Sequence, residues 1–267
     1  MDKGIYTALS GGLAKSRELE LIANNLANTN TPGFKRDTAT FNEYLTELRR
    51  QDNVEGLQRE IKSQTTLEGR PAGDKSFVEV DGVYTSFRQG TVSPTGRDLD
   101  VALEGDGFFE VLTPSGVYYT RAGNFSRSSE GKLVNINGLP ILGTGGATGQ
   151  GPDARTIQLG FGRIEVTEEG LVRQNGNVVA QLAVQEFHEP QWLEKAGNSL
   201  FKNTHPDNLK TEAVKTRVHA GNLELSNVNP VQEMTRLIEA TRSYESHMQA
   251  VKSFQEIDSR TVNDLVR

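Results

Sequence analysis

Small and apolar residues recur every seven positions near the start of the chain, in the order Ile5, Gly12, Leu19 and Leu26. This spacing places them along one face of a helix. Residues 28–33 contain Asn, Pro and Gly, which disfavour helical geometry, so the helix is expected to end there. The pattern therefore predicts an N-terminal helix within residues 1–30.

A longer stripe lies at the other end of the chain. Its residues, spaced three and four apart, are Met234, Leu237, Thr241, Tyr244, Met248 and Val251. Asn229 suits an N-cap and Pro230 suits the first helical position. The pattern predicts a helix within residues 229–267, about 35 residues and roughly 50 Å long. Long helices at both ends indicate that the two pair into a coiled-coil-like stalk.

The middle of the chain has the composition of a turn-rich β-domain. Of 27 glycines, 18 fall between residues 76 and 190, and Asn137-Gly138 and Asn175-Gly176 are hairpin-turn pairs. The β-rich runs are Phe77–Val80, Gly82–Phe87, Phe108–Leu112, Val117–Thr120, Ile164–Val166 and Val178–Phe187. We expect an antiparallel β-domain over residues 76–220, a sandwich or partly closed barrel.

Two connecting segments complete the predicted α+β fold, in which the β-domain is inserted between paired terminal helices. Residues 31–75 join the first helix to the β-domain, and residues 221–228 form the return linker. Within the first connection, the spacing of Phe41, Tyr44, Leu45 and Leu48 predicts a short amphipathic helix. The polar stretch Gln51–Asp74 that follows is expected to be extended or mobile.

Composition narrows the classes of function. The net charge is -6, which argues against broad nucleic-acid binding because phosphates are neutralised by clustered Lys and Arg. No stretch approaches the ~18–20 apolar residues of a membrane-spanning helix. The chain has no cysteine, which excludes disulfides and thiolate metal sites. Residues 4–14 fit an amphipathic helix better than the apolar core of a signal peptide. On composition alone, a cytoplasmic location is expected.

Candidate catalytic and metal-binding groups are sparse. None of the four histidines, at positions 188, 205, 219 and 247, lies three to five residues from another. Asp98, Asp100, Glu104 and Asp106 form the densest acidic group. Apolar residues alternate with the first three, which predicts a half-buried strand with a solvated acidic face rather than a catalytic pair. We therefore expect no enzyme activity, no cofactor and no metal site.

The end of the first predicted helix is crowded with asparagines, at positions 24, 25, 28 and 30. One interpretation is a fraying helix end followed by a turn. The other is a polar seam, formed by Asn24, Asn25 and Asn28, that sets the register between packed subunits, as a buried Asn does in coiled coils. The residues themselves leave both interpretations open.

Several longer motifs occur in a fixed order along the chain. MDKGIYTALS at residues 1–10 and IANNLANTNTPGFK at residues 22–35 resemble the N-terminal signature of flagellar rod and hook proteins. LDVALEGDGFF at residues 99–109 is similar to their central motif, and YTRAGNF and GKLV follow it. SNVNPV at residues 226–231 resembles their C-terminal signature. Residues 151–162 lie outside the resemblance.

The resemblance implies a non-enzymatic subunit of the bacterial flagellar basal-body rod, most like the proximal rod, with the distal rod as the alternative. Such subunits polymerise through their terminal helices into a hollow shaft that transmits torque and conducts exported subunits. The implied partners are further copies, other rod proteins and the flagellar type III export apparatus. The implied location is the basal body crossing the periplasm, reached without a cleaved signal peptide, which replaces the location expected from composition.

On this interpretation, specific residues have assembly and export roles. The axial-helix residues expected to contact neighbours are Ile5, Leu19, Leu26, Asn24, Asn25, Asn28, Met234, Leu237, Tyr244, Met248 and Val251. Phe41 and Leu45 fit the Phe-x-x-x-apolar pattern that rod and hook substrates present to the export gate. Alternatively, they are an i, i+4 packing pair. Two other classes stay open: an extracellular fibre or adhesin subunit, and a carbohydrate-active enzyme built on residues 76–220.

Overall fold

The computed structural model describes residues 2–46, 75–145, 151–205, 207–208, 210–212 and 216–265. The chain divides into two compact units. The first, called the helical unit below, comprises Met1–Ile22, Ala39–Val83 and Thr235–Arg267. The second, called the β-unit, comprises Ala23–Thr38 and Tyr84–Met234.

Two long helices lie at the ends of the chain. Helix α1 spans Asp2–Ala27 and helix α2 spans Pro230–Leu265. Asn229 caps α2, since its Oδ1 accepts hydrogen bonds from the backbone N–H of Val231 and Gln232 at 3.0 and 3.3 Å. Both predicted helices and the predicted start of α2 are confirmed. In the part of the chain that the structure describes, neither helix is long and apolar enough to cross a membrane.

Short strands occupy most of the rest of the chain. In order they are β1 Asp37–Thr46, β2 Lys75–Thr85, β3 Val92–Pro94, β4 Val101–Glu104, β5 Phe108–Thr113, β6 Gly116–Thr120, β7 Ser126–Arg127, β8 Leu133–Val134, β9 Gly143–Thr144, β10 Ile164–Val166, β11 Leu171–Gln174, β12 Asn177–Leu182, β13 Val184–Phe187, β14 Leu193–Lys195, β15 Leu200–Asn203, β16 Lys210–Glu212, β17 Arg217–Ala220 and β18 Asn222–Glu224. Two 3₁₀ turns lie at Pro152–Arg155 and Pro190–Trp192.

The β-unit is organised around two sheets. The larger has the strand order β14-β15-β6-β5-β13-β16, and the smaller has the order β10-β11-β12-β9. Shorter ladders join β17 to β4, β18 to β3 and β7 to β8. All of these pairings are antiparallel. The predicted α+β fold with an inserted antiparallel β-region is confirmed.

Strand β5 separates two clusters of buried side chains, because successive side chains of a strand point to opposite faces. Phe109 belongs to a large aliphatic core that includes Val101, Leu133 and Ile141. Its neighbour Phe108 belongs to an aromatic cluster on the other face. The rings of that cluster meet edge-to-face or tilted, with centroids 4.7 to 5.8 Å apart, which is the preferred arrangement of aromatic pairs.

The short helix predicted in the first connection is wrong. Phe41, Tyr44 and Leu45 lie on β1, which pairs with β2 in a two-stranded ribbon. Tertiary pairing overrides the helical spacing, because β-branched and aromatic residues, including Thr38, Thr40 and Phe41, suit a strand. Leu48 and the stretch Gln51–Asp74 lie outside the described residues.

Two further expectations about strands need correction. The run Val178–Phe187 forms two strands in different sheets, since β12 pairs with β11 and β13 pairs with β5. Asp100 is buried instead of solvated. Its Oδ2 accepts a 2.7 Å hydrogen bond from Thr95 Oγ1, and Arg97 Nε lies 3.8 Å away. A carboxylate tolerates burial when such partners are present.

The segment 151–162, in which the sequence shows no recognised motif, completes the aliphatic core. Ile157 and Leu159 are buried in it. The backbone N–H of Leu133 donates to Ile157 O at 3.0 Å. Arg155 lies 2.7 Å from the buried carboxylate of Glu110. The segment therefore contributes to the packing of the β-unit.

Candidate assembly site

The end of helix α1 is tied to the chain that follows it. The side-chain amide of Asn25 donates to the Asp37 carbonyl at 2.8 Å, and the Asp37 N–H donates back to Asn25 Oδ1 at 3.0 Å. Asn25 is buried. This paired hydrogen bond closes the loop of residues 26–36, so Asn25 has an internal role within the β-unit.

Lys35, near the end of this loop, is buried completely and ion-paired with Glu224 of β18. Lys35 Nζ lies 2.7 Å from Glu224 Oε1, and also donates to the carbonyls of Arg88 at 2.9 Å and Phe87 at 3.4 Å. The N–H of Gly90 donates to the same carboxylate oxygen at 2.9 Å. Burial of two charges costs free energy that such hydrogen bonds largely offset.

Arg121 adds a second buried cation to the same carboxylate. Its Nη1 lies 3.5 Å from Glu224 Oε2, its Nη2 donates to Gly105 O at 2.6 Å, and its guanidinium carbon lies 4.8 Å from the centre of the Phe108 ring. We call Lys35, Arg121 and Glu224 the buried charge cluster. Two cations thus share one carboxylate in a site closed to solvent.

Burial changes the pKa of both cations. Burial lowers the pKa of Lys35, and the adjacent Glu224 carboxylate opposes that shift. Burial likewise lowers the pKa of Arg121, again against the attraction of Glu224. Since desolvation disfavours a charged form, the single carboxylate only partly compensates the two cations.

The first turn of α2 is anchored beside the same segment. Arg36 Nε lies 2.7 Å from Glu233 Oε1, and the Glu233 side chain is buried. Asn227 Oδ1 accepts a 2.8 Å hydrogen bond from the Arg36 N–H, while its amide donates to the carbonyls of Ser86 and Arg88 at 2.8 and 2.9 Å. The chain leaving α1 and the chain entering α2 are therefore fastened side by side.

A lysine of the six-stranded sheet reaches the same segment. Lys195 Nζ of β14 lies 2.7 Å from Asp37 Oδ2, donates to Lys35 O at 2.5 Å and lies 4.0 Å from the centre of the Phe34 ring. Burial lowers the pKa of Lys195, and Asp37 opposes the shift. The β-unit thereby holds the segment after α1 from a second side.

Gly33 explains why the N-terminal and central motifs meet here. Its φ of +67° lies in the left-handed region that favours glycine, and a methyl group at this position would overlap the backbone of Arg121 and Ala122. The turn at Pro32-Gly33 therefore packs directly on the loop that carries Arg121.

The predicted axial residues fall into three groups. Asn25 and Val251 are buried, and Asn24 and Met234 are exposed. The half-buried members are Ile5, Leu19, Leu26, Asn28, Leu237, Tyr244 and Met248. A methyl group on Gly12 would lie 3.7 Å from Met248 Sδ, so Met248 faces α1 of its own chain. Phe41 is half-buried, and nothing is described of the Leu45 side chain.

The asparagines at the end of α1 separate in the structure. Asn28 donates from its amide to the Asn24 carbonyl at 2.9 Å and accepts from Thr31 Oγ1 at 3.1 Å. Asn25 binds Asp37, as described above. Asn24 is exposed. Asn25 and Asn28 thus have hydrogen-bond partners within the chain, and a seam between subunits stays a prediction for Asn24, Asn25 and Asn28.

Helix α1 also carries exposed apolar residues outside the heptad positions, on a face roughly 100° round the helix axis from them. Tyr6, Leu9 and Leu13 are 58%, 38% and 61% exposed, and their three- and four-residue spacing puts them on one face. We call these three residues the α1 outer stripe. On α2, Phe254 and Ile257 are exposed as well. The three- and four-residue spacing of the α1 outer stripe is visible in the sequence. The heptad positions, on which the prediction was based, lie on a different face of the helix.

The sequence analysis did not predict the buried charge cluster. Lys35 and Arg121 belong to the recognised motifs, and Glu224 lies just before the C-terminal one. Three charged residues far apart in sequence carry no sign of burial or pairing. Among the residues that the structure describes, no group of three or more His, Asp or Glu residues could hold a metal ion.

Three family descriptions match the chain in order. "Flagella basal body rod protein" matches residues 5–35, "Flagellar hook protein FlgE/F/G D1 domain" matches residues 102–180, and "Flagellar basal body rod FlgEFG protein C-terminal" matches residues 219–265. These spans coincide with α1 and its loop, with the aliphatic core of the β-unit, and with β18 and α2.

Relatives that align with almost the whole chain belong to the same family. The flagellar basal-body rod protein FlgF of Caulobacter vibrioides is 35% identical over 99% of this chain and 98% of its own length. FlgG of the same bacterium is 32% identical over 94% and 95%, and FlgG of Bacillus subtilis is 30% identical over 98% and 99%. The chain therefore belongs to the flagellar basal-body rod protein family. The predicted resemblance and the predicted class of function, a structural rod subunit, are both confirmed.

Proposed function

We propose that this chain is a subunit of the proximal rod, which polymerises through its terminal helices into a hollow shaft that transmits torque and conducts exported subunits. The FlgF relative from Caulobacter vibrioides is slightly more similar to the chain than the FlgG relative from the same bacterium. This difference favours the proximal over the distal rod. The partners are further copies and other rod proteins, and the role is not catalytic.

The observation that carries assembly through the helices is the α1 outer stripe. Tyr6, Leu9 and Leu13 expose apolar surface along one face of a helix. Fully burying a side chain of this size contributes about 1.5–3 kcal/mol. A second copy or another rod subunit that covers the stripe gains part of that free energy at every repeat of the polymer. Exposed Phe254 and Ile257 on α2 extend the apolar surface of the helical unit.

The buried charge cluster supports a mechanical role. Within the β-unit, the end of α1 and the start of α2 are held by ion pairs and hydrogen bonds instead of a flexible linker. A shaft transmits torque only if its subunits resist twisting, and cross-linked helix ends supply that resistance.

The sharpest test of assembly changes Leu13 to Asp. An unpaired carboxylate in a subunit interface costs several kcal/mol, whereas Leu13 is 61% exposed in the free chain. We expect the purified variant to melt like the wild type, and cells that carry it to lack complete rods and to be unable to swim. Electron micrographs of isolated basal bodies and soft-agar motility measure both outcomes.

Two controls accompany this test. Leu13→Met keeps the apolar surface and is expected to leave rods intact, and Glu239→Gln changes an exposed polar residue of α2. The axial substitution Met248→Asp is less informative, because Met248 also faces α1 of its own chain. Complete rods in Leu13→Asp cells would rule out the α1 outer stripe as an assembly surface.

Export through the flagellar type III apparatus into the periplasm is the second part of the proposal. Phe41 and Leu45 supply the Phe-x-x-x-apolar pattern, and both lie on β1. Phe41 is half-buried, with Lys15 Nζ 6.0 Å from its ring centre, which is a weak contact. Phe41→Ala is expected to leave the β-unit folded and the protein in the cytoplasm. Normal secretion of that variant would leave Phe41 with a packing role only.

A further inference from the structure

Within the helical unit, two glycines of α1 lie directly against aromatic rings of α2. Phe254 lies against Gly4, and His247 lies against Gly11. As the residue number rises by seven on α1, it falls by seven on α2, so the two helices run antiparallel at this contact. Seven residues are about two helical turns, and both contacts therefore lie on the same face of each helix.

No side chain fits at either glycine without moving an aromatic ring. A methyl group on Gly4 would lie 2.8, 3.0 and 3.3 Å from three ring atoms of Phe254. On Gly11 it would lie 2.7, 3.0 and 3.1 Å from three ring atoms of His247. Since three atoms crowd the same point, the ring as a whole would have to shift away from the glycine. Ordinary carbon–carbon contacts are 3.5–4.0 Å.

The neighbouring glycine provides an internal comparison. A methyl group on Gly12 would lie 3.7 Å from Met248 Sδ and 3.8 Å from His247 Cβ, which are ordinary contacts. Glycine is, after proline, the residue that helix interiors tolerate least. Packing therefore explains the glycine at position 11 and does not explain the one at position 12.

A displaced register would not reproduce this fit. Moving α1 by one turn along α2 would bring Ala8 in place of Gly4 and Lys15 in place of Gly11. The methyl group of Ala8 would then meet the ring of Phe254. The long side chain of Lys15 would meet His247. One antiparallel register therefore places a glycine under both rings.

We propose that Gly4 and Gly11, filled by the rings of Phe254 and His247, fix the register of the terminal helix pair and so determine which apolar residues the subunit presents to its neighbours. The effect on the residues presented to neighbours rests on the proposed function. The register of the helix pair concerns the chain alone and is tested on the purified protein.

Disulfide trapping tests the register directly, because the natural chain has no cysteine. Gly12→Cys with His247→Cys joins positions whose Cβ atoms lie 3.8 Å apart, close to the mean Cβ separation of about 3.8 Å in disulfides. We expect rapid cross-linking of this pair under mild oxidation. Ala8→Cys with His247→Cys, displaced by one turn, is expected to cross-link at least ~10-fold more slowly. Equal rates, or no cross-link in either, would overturn the register.

Two matched glycine substitutions test the packing. Both Gly11→Ala and Gly12→Ala improve helix propensity equally. We expect Gly12→Ala to raise the melting temperature of the helices and Gly11→Ala to lower it by several degrees, as followed by circular dichroism. His247→Ala added to Gly11→Ala is expected to restore part of the loss. Equal shifts in the two single variants would overturn the role of Gly11.

The consequence for assembly is measured separately. Cells with Gly11→Ala are expected to have fewer complete rods than cells with Gly12→Ala. Normal rods in Gly11→Ala cells would overturn the link between register and presentation. The proposed function fails on a different result, complete rods in Leu13→Asp cells, so the two failures are distinguishable.

Discussion

The two units of this protein bury apolar side chains to different extents. In the β-unit, Leu103, Phe109 and Val111 are withdrawn from solvent completely. In the helical unit, Tyr6 and Leu13 are more than half exposed. The β-unit also exposes single apolar side chains, but it encloses a core of fully buried residues, whereas none of the described apolar side chains of the helical unit is fully buried. On the proposed function, the exposed stripe of the helical unit is where neighbouring subunits pack.

The two units also differ in where their ion pairs lie. The β-unit buries three charged side chains together in the buried charge cluster, where specific partners offset desolvation. The helical unit keeps its ion pairs on the surface, such as Arg17 with Glu20, where a pair contributes little. The β-unit therefore combines an apolar core with buried ion pairs, whereas the Arg17–Glu20 pair of the helical unit lies on the surface.

Limited proteolysis measures the largest expected difference between the units. Local opening free energies range from about zero for poorly packed segments to the full free energy of unfolding for core elements. We expect trypsin to cut the free subunit rapidly at Lys15, Arg17 and Lys252, and to spare Lys35 and Arg121. Mass spectrometry of the fragments identifies the sites. Equal resistance in both sets would contradict the comparison.

Removing the only carboxylate of the buried charge cluster tests the β-unit. Glu224→Gln leaves two buried cations without their counter-ion, and breaking a buried pair in this way typically costs about 3–5 kcal/mol. Denaturant titration gives the free energy of unfolding. Glu130→Gln, which affects an exposed ion pair with Lys132, is the matched control and is expected to have no measurable effect. A similar result for both variants would mean that the cluster does not stabilise the fold.

The dependence of stability on pH is the smallest expected effect. Burial lowers the pKa of Lys35 and of Lys195 below the ordinary value of 10.5. Between the lowered pKa values and 10.5 the unfolded chain binds more protons than the folded chain, so the free energy of unfolding rises with pH in that window. Below the window, the full cost of burying the charges is present.

Denaturant titrations over the pH range below 10.5 check this slope. Lys35→Met is expected to be less stable overall but to show a shallower rise than the wild type, and exposed Lys202→Met is expected to keep the wild-type slope. An unchanged slope in Lys35→Met would assign the pH dependence to other groups.

Local sequence signals predicted the helices well, because their causes are local. The cap at Asn229, the proline at Pro230 and the breakers after Ala27 act within one or two turns of the residues they affect. Hairpin turns such as Asn175-Gly176 also have local causes. Asn175 adopts a positive φ of 51° there. Strand β10 begins and ends at the predicted residues.

Sequence patterns that suit both a helix and a strand were less informative. Phe41 and Leu45 are four residues apart, which suits both a helix face and one side of a strand. Only pairing with β2 selects the strand. The run Val178–Phe187 is equally continuous in sequence, and it divides at Ala183 because its halves pair with different neighbours.

The sequence by itself determined the element types, the order of the motifs and, through them, the family. Only the tertiary structure decided which face of α1 is covered by α2, which residues remain exposed for neighbours, and that Lys35, Arg121 and Glu224 meet. The physical reason is distance along the chain: Lys35 and Glu224 are 189 positions apart. No local propensity acts over such a separation, and their charges find each other only when the sheets and loops of the β-unit have packed.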